Sequence, residues 1–141
     1  MMSDDFIIAD MRVDNNDQWF VYAWVSLAGR NRLVEFKIDT GCNALVLSHK
    51  TLRKLGVNIT DLSRLTDTIG IQASGEKHDY KKLGKTSLFL NKTTQICETI
   101  SVCHATRETH DLLGTRVLKQ FCRVNFILDE ENFMQLKKRN T

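Results

Sequence analysis

Val34-Glu35-Phe36-Lys37-Ile38-Asp39-Thr40-Gly41-Cys42 decides how this chain is read, as an alternating strand that runs into a carboxylate and stops on a glycine. Val34, Phe36 and Ile38 alternate with Glu35 and Lys37, the two-residue period of a strand with one buried face. Asp39 therefore falls on the face opposite Ile38, where the strand ends. Gly41 admits a turn that a side chain would block, and Ala44-Leu45-Val46-Leu47 is apolar again. An ionisable group set between two buried segments needs a partner or a use. Asp is also a common turn residue that bonds its own backbone, so the triplet alone leaves a capping role open.

Outward from this stretch, Trp19 to Leu27 is rich in aromatic and β-branched residues and predicts a strand. Residues Ala28 to Arg32 form the turn and Leu33 to Ile38 the return strand, which makes the carboxylate strand the second arm of a hairpin. Downstream, Leu45 to Leu47 continues as a strand. Ser48 is a suitable N-cap for a helix from His49 to Leu55 closed by Gly56, with Leu52 and Leu55 as its buried side. A polar connection spans residues 58 to 66. Residues 68–72 and 79–83 then flank Ala73-Ser74-Gly75-Glu76-Lys77-His78, a polar, glycine-containing tip that suits a mobile hairpin. Strands are expected at residues 84–90 and 96–103. After a polar loop come Leu112-Leu113-Gly114, a helix over Arg116 to Phe121, and a last strand over Val124 to Leu128. Gly114 would let its backbone pass close to the turn that carries Asp39. The list is short strands and turns with one or two small helices, an all-β class.

In combination these motifs resemble the retropepsins, the aspartic proteases of retroviruses, retrotransposons and some cellular proteins. Asp39-Thr40-Gly41 after an apolar strand is similar to the family's catalytic triplet, residues 69–78 to its flap hairpin, and His110 to Phe121 to its apolar pair plus glycine followed by a short helix. The likeness covers roughly residues 18 to 128, with 1–17 as an N-terminal segment and 129–141 as a C-terminal tail, either a short helix through Phe133 and Leu136 or irregular. It implies a closed β-barrel with a flap. It also implies an aspartic endopeptidase, active as a homodimer on a peptide or polyprotein, of retroelement or retroelement-derived origin.

The rest of the composition limits the alternatives. The chain has 141 residues, 42% of them apolar, which is one domain with enough apolar mass for a core. A net charge of +3, dispersed along the chain, does not argue for a nucleic-acid partner. No apolar run reaches membrane-spanning length and no secretory leader is visible, so no membrane association and an intracellular, cytoplasmic place are expected. Cys42, Cys97, Cys103 and Cys122 lack the paired spacing of a zinc site and read as reduced thiols in or near the core. The four histidines are scattered. Neither a metal nor an organic cofactor is expected.

Hydrolysis by this chemistry needs two carboxylates sharing one proton, one acting as base toward water and the other as acid toward the carbonyl oxygen. The chain carries a single Asp-Thr-Gly, and Asp67-Thr68-Ile69 lacks the glycine. Two copies must then meet on a two-fold axis with Asp39 of each at its centre. The resemblance implies that Asp39, Thr40 and Gly41 are catalytic, with Thr40 bracing the pair across the axis. Cys42, Asn43, Ala44, Ile71, Ala73, Ser74, Gly75, Glu76, Leu113 and Gly114 would meet the substrate, with Val46, Leu112 and Val117 as further candidates for pocket walls or plain core. Two departures stand out. Cys42 places a thiol, open to oxidation, where the family has Ala, Ser or Thr. Asn43 and Thr115 replace the acidic residue and arginine that pair in retroviral members, so the dimer must be held by other means, the N-terminal segment or the tail. The competing reading is a catalytically silent domain that dimerises or binds peptides, since a fold does not establish an activity.

Overall fold

The computed structural model describes residues 6–71, 77–90, 95–104 and 110–139. Strands β1 (Ile7–Val13), β2 (Trp19–Leu27), β3 (Arg30–Ile38) and β4 (Leu45–Leu47) precede helix α1 (His49–Lys54) and a 3-10 turn, Ile59–Arg64. Then come β5 (Asp67–Ile71), β6 (Lys77–Phe89), β7 (Gln95–His104), β8 (Leu112–Leu113), α2 (Thr115–Leu118), β9 (Phe121–Leu128) and β10 (Asn132–Lys138).

Six of these strands close a barrel in the order β6-β7-β4-β8-β3-β2, and β2 returns to β6 through Trp24↔Phe89, Val25↔Leu88 and Ser26↔Ser87. The closure follows from the alternation. Val21, Ala23 and Val25 of β2, Val34 and Phe36 of β3, Leu45 and Leu47 of β4 and Leu88 of β6 all point inward and are buried. Leu52 and Leu55 of the α1 region join the same core. Burying a large aliphatic or aromatic side chain contributes about 1.5–3 kcal/mol, so this inward row is the main source of stability.

The elements follow the local signals of the sequence, with differences at the joints. The β2–β3 turn is only Ala28-Gly29, both at positive φ (55° and 77°), which matches the twist of a two-residue hairpin, and β3 begins at Arg30 instead of Leu33. Ser48 caps α1 by accepting from the Thr51 N–H, and Gly56 follows at φ 77°. The polar connection coils into the 3-10 turn under the Asn58 cap. Residues 77–89 form one strand in place of two. Its register shifts between Lys82 and Gly84, where Gly84 takes φ 98°. The helix expected over Arg116 to Phe121 ends at Leu118, because β9 already begins at Phe121.

The largest difference lies at the C-terminus. Residues 132–138 are neither a helix nor an irregular tail but β10, which pairs with β9 on one side and with β1 on the other. Met134 and Leu136 are two apart and both buried, and that two-residue period with one buried face prevails over the three-residue spacing of Phe133 and Leu136. β1 is an extra strand of the N-terminal segment. Its first half, from Ile7, pairs with β10 and its second half, from Met11, with β2. Arg12 further ties it to the barrel through a two-pronged contact to Glu35 (Nε 3.1 Å, Nη2 2.7 Å) that holds the Glu35 carboxyl below its ordinary range.

The two residues of β8 organise the site. They run parallel to β3 (Lys37↔Leu112, Ile38↔Leu113) and antiparallel to β4 (Leu45↔Leu113, Val46↔Leu112), between the two arms of the Asp39 turn. Gly114 leaves this slot under the turn. A Cβ there would sit 2.5 Å from the Ala44 carbonyl oxygen and closer still to that of Cys42. Asp111 anchors the entrance. Its carboxylate accepts from the Ser48 N–H at 2.8 Å and the Thr51 hydroxyl at 2.7 Å, joining β8 to the start of α1. Burial pushes its pKa up, against the opposing effect of those two donors.

Gly114→Ala is expected to destabilise the protein by about 3 kcal/mol, the upper end of ordinary overpacking, because backbone and not a flexible side chain fills the space. Gly29→Ala, with nothing within 4 Å of its Cβ, is expected to lose only the about 1–2 kcal/mol of a left-handed conformation. Equal losses in urea midpoints would refute the steric account. For Asp111, a folded pKa above the ordinary 3.8 means that its contribution is fully present below that value and declines as pH rises through the folded pKa. The stability of Asp111→Asn relative to wild type should therefore rise over that window, and urea titrations at a series of pH values measure it. A difference that moves the other way contradicts the assignment.

Candidate active site

Asp39 leaves β3 with its N–H donated to the Leu113 carbonyl at 3.1 Å, so β8 holds the residue in place from below. One carboxylate oxygen accepts from the Gly41 N–H at 3.0 Å, and the Cys42 N–H donates to the Asp39 carbonyl at 3.1 Å, closing a tight turn over residues 39–42. Asp39 thus folds its own turn, as its residue type allows, and is half-buried. Thr40 at the tip is exposed and Gly41 half-buried. On the far side of the turn the Thr115 N–H donates to the Cys42 carbonyl (2.9 Å) and the Arg116 N–H to that of Asn43 (3.0 Å). The start of α2 thus fastens what β8 began. Here Thr115 and Arg116 hold the loop through backbone groups, which the residue types at those positions could not have revealed.

Asp39, Thr40, Gly41, Cys42, Asn43, Ala44, Leu113 and Gly114 are therefore brought together in one knot of backbone. Their exposures differ. Asn43 faces solvent, whereas Cys42, Ala44 and Leu113 are buried at 3%, 8% and 2%. Val46, Leu112 and Val117 are buried as well, the first two in a small apolar cluster with Cys42, Ala44, Tyr80 and Val102 and the third in the main core. Ile71 ends β5 opposite Lys77 of β6, so the base of the expected flap hairpin is formed. Ala73, Ser74, Gly75 and Glu76 lie outside the described residues. Asp67, first of the triplet that lacks a glycine, sits in β5 and is ion-paired with Lys81 across the hairpin.

The Cys42 thiol points away from solvent toward the Ala44 carbonyl at 3.8 Å. Burial pushes its pKa up, and the Asp39 charge adds to the effect. A protonated, buried thiol is a poor nucleophile, so the structure does not favour the oxidation that a cysteine in this position invites. The small cluster also contains the residue that the sequence reading passed over. Tyr80, 1% exposed, comes from β6 and packs in the same cluster as Cys42 and Ala44 of the Asp39 loop, so the hairpin base and the loop share one packed unit. An aromatic among Lys and Asp in a flap strand was the available signal. Two cavities border the loop. One of about 50 Å³ lies among Asn43, Ala44, Thr68, Tyr80 and Arg116, and one of about 330 Å³ is lined by Trp19, Lys37, Ile38, Thr40 and Phe126.

Among the described residues, no group of three or more His, Cys, Asp or Glu is placed to hold a metal, and no helix is long and apolar enough to cross a membrane. No protein-family profile and no curated protein matches the chain by sequence. Among solved structures, the crystal structure of a retropepsin-like aspartic protease from Rickettsia conorii is similar, with a TM-score of 0.56 and 18% identity over 96% of each chain. The closed six-strand barrel, the slot that holds β8 and this likeness over nearly the whole length agree that the chain has a retropepsin-like fold.

Proposed function

We propose that the chain is an aspartic endopeptidase in which Asp39 from each of two copies forms the catalytic pair. The observation that carries the reading is the setting of Asp39. It stands at the end of an apolar strand, is suspended from Leu113, is oriented by the Gly41 N–H and lies beside an exposed Thr40, in a barrel of retropepsin type. Such a fixed carboxylate is pre-aimed, and pre-aimed groups lower the reorganisation needed during reaction.

In this mechanism the two Asp39 carboxylates hold one proton between them. The ionised one takes a proton from a water molecule, which attacks the peptide carbonyl carbon. The protonated one donates to the carbonyl oxygen, giving a neutral gem-diol. A proton then moves to the amide nitrogen as the C–N bond breaks. Two carboxylates this close cannot both ionise without strong repulsion, so they titrate as a pair. Thr40 braces one loop against the other and Gly41 offers its carbonyl to the substrate backbone. The buried Cys42, Ala44 and Leu113 serve through backbone and packing, while Asn43 meets the peptide directly. Residues Ala73 to Glu76 close over the bound strand together with Ile71. A retroelement or retroelement-derived source fits a single-lobe chain that must pair to complete its site.

The test is cleavage of a mixed peptide library at about pH 5 by wild type and Asp39→Asn over a range of protein concentrations. The variant should lose about 10⁴-fold in rate, the upper range for a positioned acid–base group. The wild-type rate should rise faster than linearly with concentration while monomers predominate, and should fall as pH rises past the point where the shared proton is lost. Activity that survives Asp39→Asn, or that climbs steadily through alkaline pH, overturns the mechanism. A folded dimer that cleaves nothing supports the silent binding module in its place.

A further inference from the structure

The cavity of about 50 Å³ beside the Asp39 loop is bordered by two charges that the fold does not use. Its apolar lining includes Ala44, Tyr80 and Val102, all buried in the small cluster already described. Lys82 of β6 and Arg116 of α2 stand on its rim, and both are exposed. Their places follow from the backbone. Lys82 is two residues from Tyr80 and shares its face of β6, while Lys81 points the other way and is ion-paired with Asp67. Arg116 is brought to the loop by its N–H, which donates to the Asn43 carbonyl at 3.0 Å.

Two cations thus border one small space without a counter-charge. Among the described residues no carboxylate lines the cavity, and neither Lys82 nor Arg116 forms an ion pair. Asn43, exposed at the same cavity, is neutral. Like charges held close repel, and an anion between them relieves the repulsion. The size fits the same ligand. A void needs roughly 10–15 Å³ to admit one water, so this one receives a group of a few heavy atoms, such as a carboxylate, and is too small for an aromatic ring. Arg supplies a planar fork for the two carboxylate oxygens, and Lys a mobile point charge.

The cavity also lies along the path that the proposed function gives the peptide, between the hairpin base, through Tyr80 and Lys82, and the residues just past the Asp39 turn. An extended peptide sends alternate side chains to opposite walls of such a cleft, where pockets give specificity. Neither Asp39 nor Thr40 lines the cavity, so the side chain it receives belongs to a residue removed from the cleaved bond.

We propose that this cavity is a subsite for an acidic side chain of the substrate, selected by Lys82 and Arg116. It rests on the endopeptidase reading of Asp39 and names the class of peptide that the site prefers. Two copies on a two-fold axis present the cavity twice, so acidic residues are favoured at matching places on both sides of the cleaved bond.

The mixed peptide library at about pH 5, where Asp and Glu are mostly ionised, gives the test. Peptides cut by wild type should be enriched in Asp or Glu at one or both of those places, and replacing that residue by its amide should lower kcat/KM at least about threefold, within reach of two exposed ion pairs. The acid-to-amide ratio is read within each variant, so a change in overall rate cancels. Lys82→Glu should reduce the ratio, and Lys82→Glu with Arg116→Glu should invert the preference toward Lys or Arg. Wild type supplies a check that needs no variant to fold: the ratio should shrink between roughly 0.05 M and 0.5 M salt, as screened charges require. Cleavage without an acidic preference, or a preference that survives either the double reversal or the higher salt, overturns the subsite and leaves the protease reading standing. If nothing is cut, the peptides retained on immobilised wild type decide. A retained set rich in Asp or Glu that the double reversal releases sinks only the protease reading, and no retention, or retention without acidic bias, overturns both.

Discussion

The structure depends on one steric constraint: two residues of backbone must pass between the arms of the Asp39 turn and leave beneath it. Leu112 and Leu113 fill the slot, satisfy both neighbouring strands and bury their side chains at 6% and 2%. Gly114 is needed because the chain exits against the Cys42 and Ala44 carbonyls, where no Cβ fits. Once the strand is in place, the turn gains donors it could not find locally. Asp39 hangs from Leu113, Cys42 is held by Thr115 and Asn43 by Arg116. A polar loop beside an apolar core is thereby tied down at several points by backbone hydrogen bonds, which lets it be ordered and half-exposed at the same time.

Two side chains extend this rigidity. Asp111 joins the entrance of the slot to the cap of α1, and the two donors on its carboxylate offset part of the penalty of burial. Tyr80 carries the constraint to the flap base by packing in the same small cluster as Cys42 and Ala44. The loop is thus held from below by backbone and from behind by an aromatic ring, while the half-buried Asp111 carboxylate fixes the entrance of the slot. That arrangement leaves the solvent side of Asp39 and Thr40 as the surface available to a ligand or a second chain.

Much of this was legible in the residues. The period-two rows of β2 and β3, the Ser48 cap, the glycine after Asp39 and the one after Leu113 all have local physical causes, and local causes can be read locally. What escaped was set by distant partners. Asp111 and Tyr80 look ordinary until residues some 60 and 40 positions away in sequence are folded against them, a matter of tertiary pairing that periodicity does not encode. The tail was misread for the same reason: Met134 and Leu136 support a strand only where β1 and β9 already offer edges. The helix after Gly114 is shorter than the spacing predicts because Phe121, one turn on from Val117, belongs to β9.

The bulge in β6 divides one long strand into two mechanical parts. From Ser87 to Phe89 the strand closes the barrel against β2, while from Lys77 to Lys81 it forms the base of the flap hairpin with β5. Between them, Gly84 at φ 98° and the skipped register after Lys82 break the ladder and concentrate the twist at one point. A strand with continuous pairing would act as a stiff rod and carry any tilt of the hairpin into the barrel wall. With the joint placed there, the chain changes direction at a single residue inside the β6–β7 ladder, while Tyr80 to Lys82 on the hairpin side keep their pairing with β7.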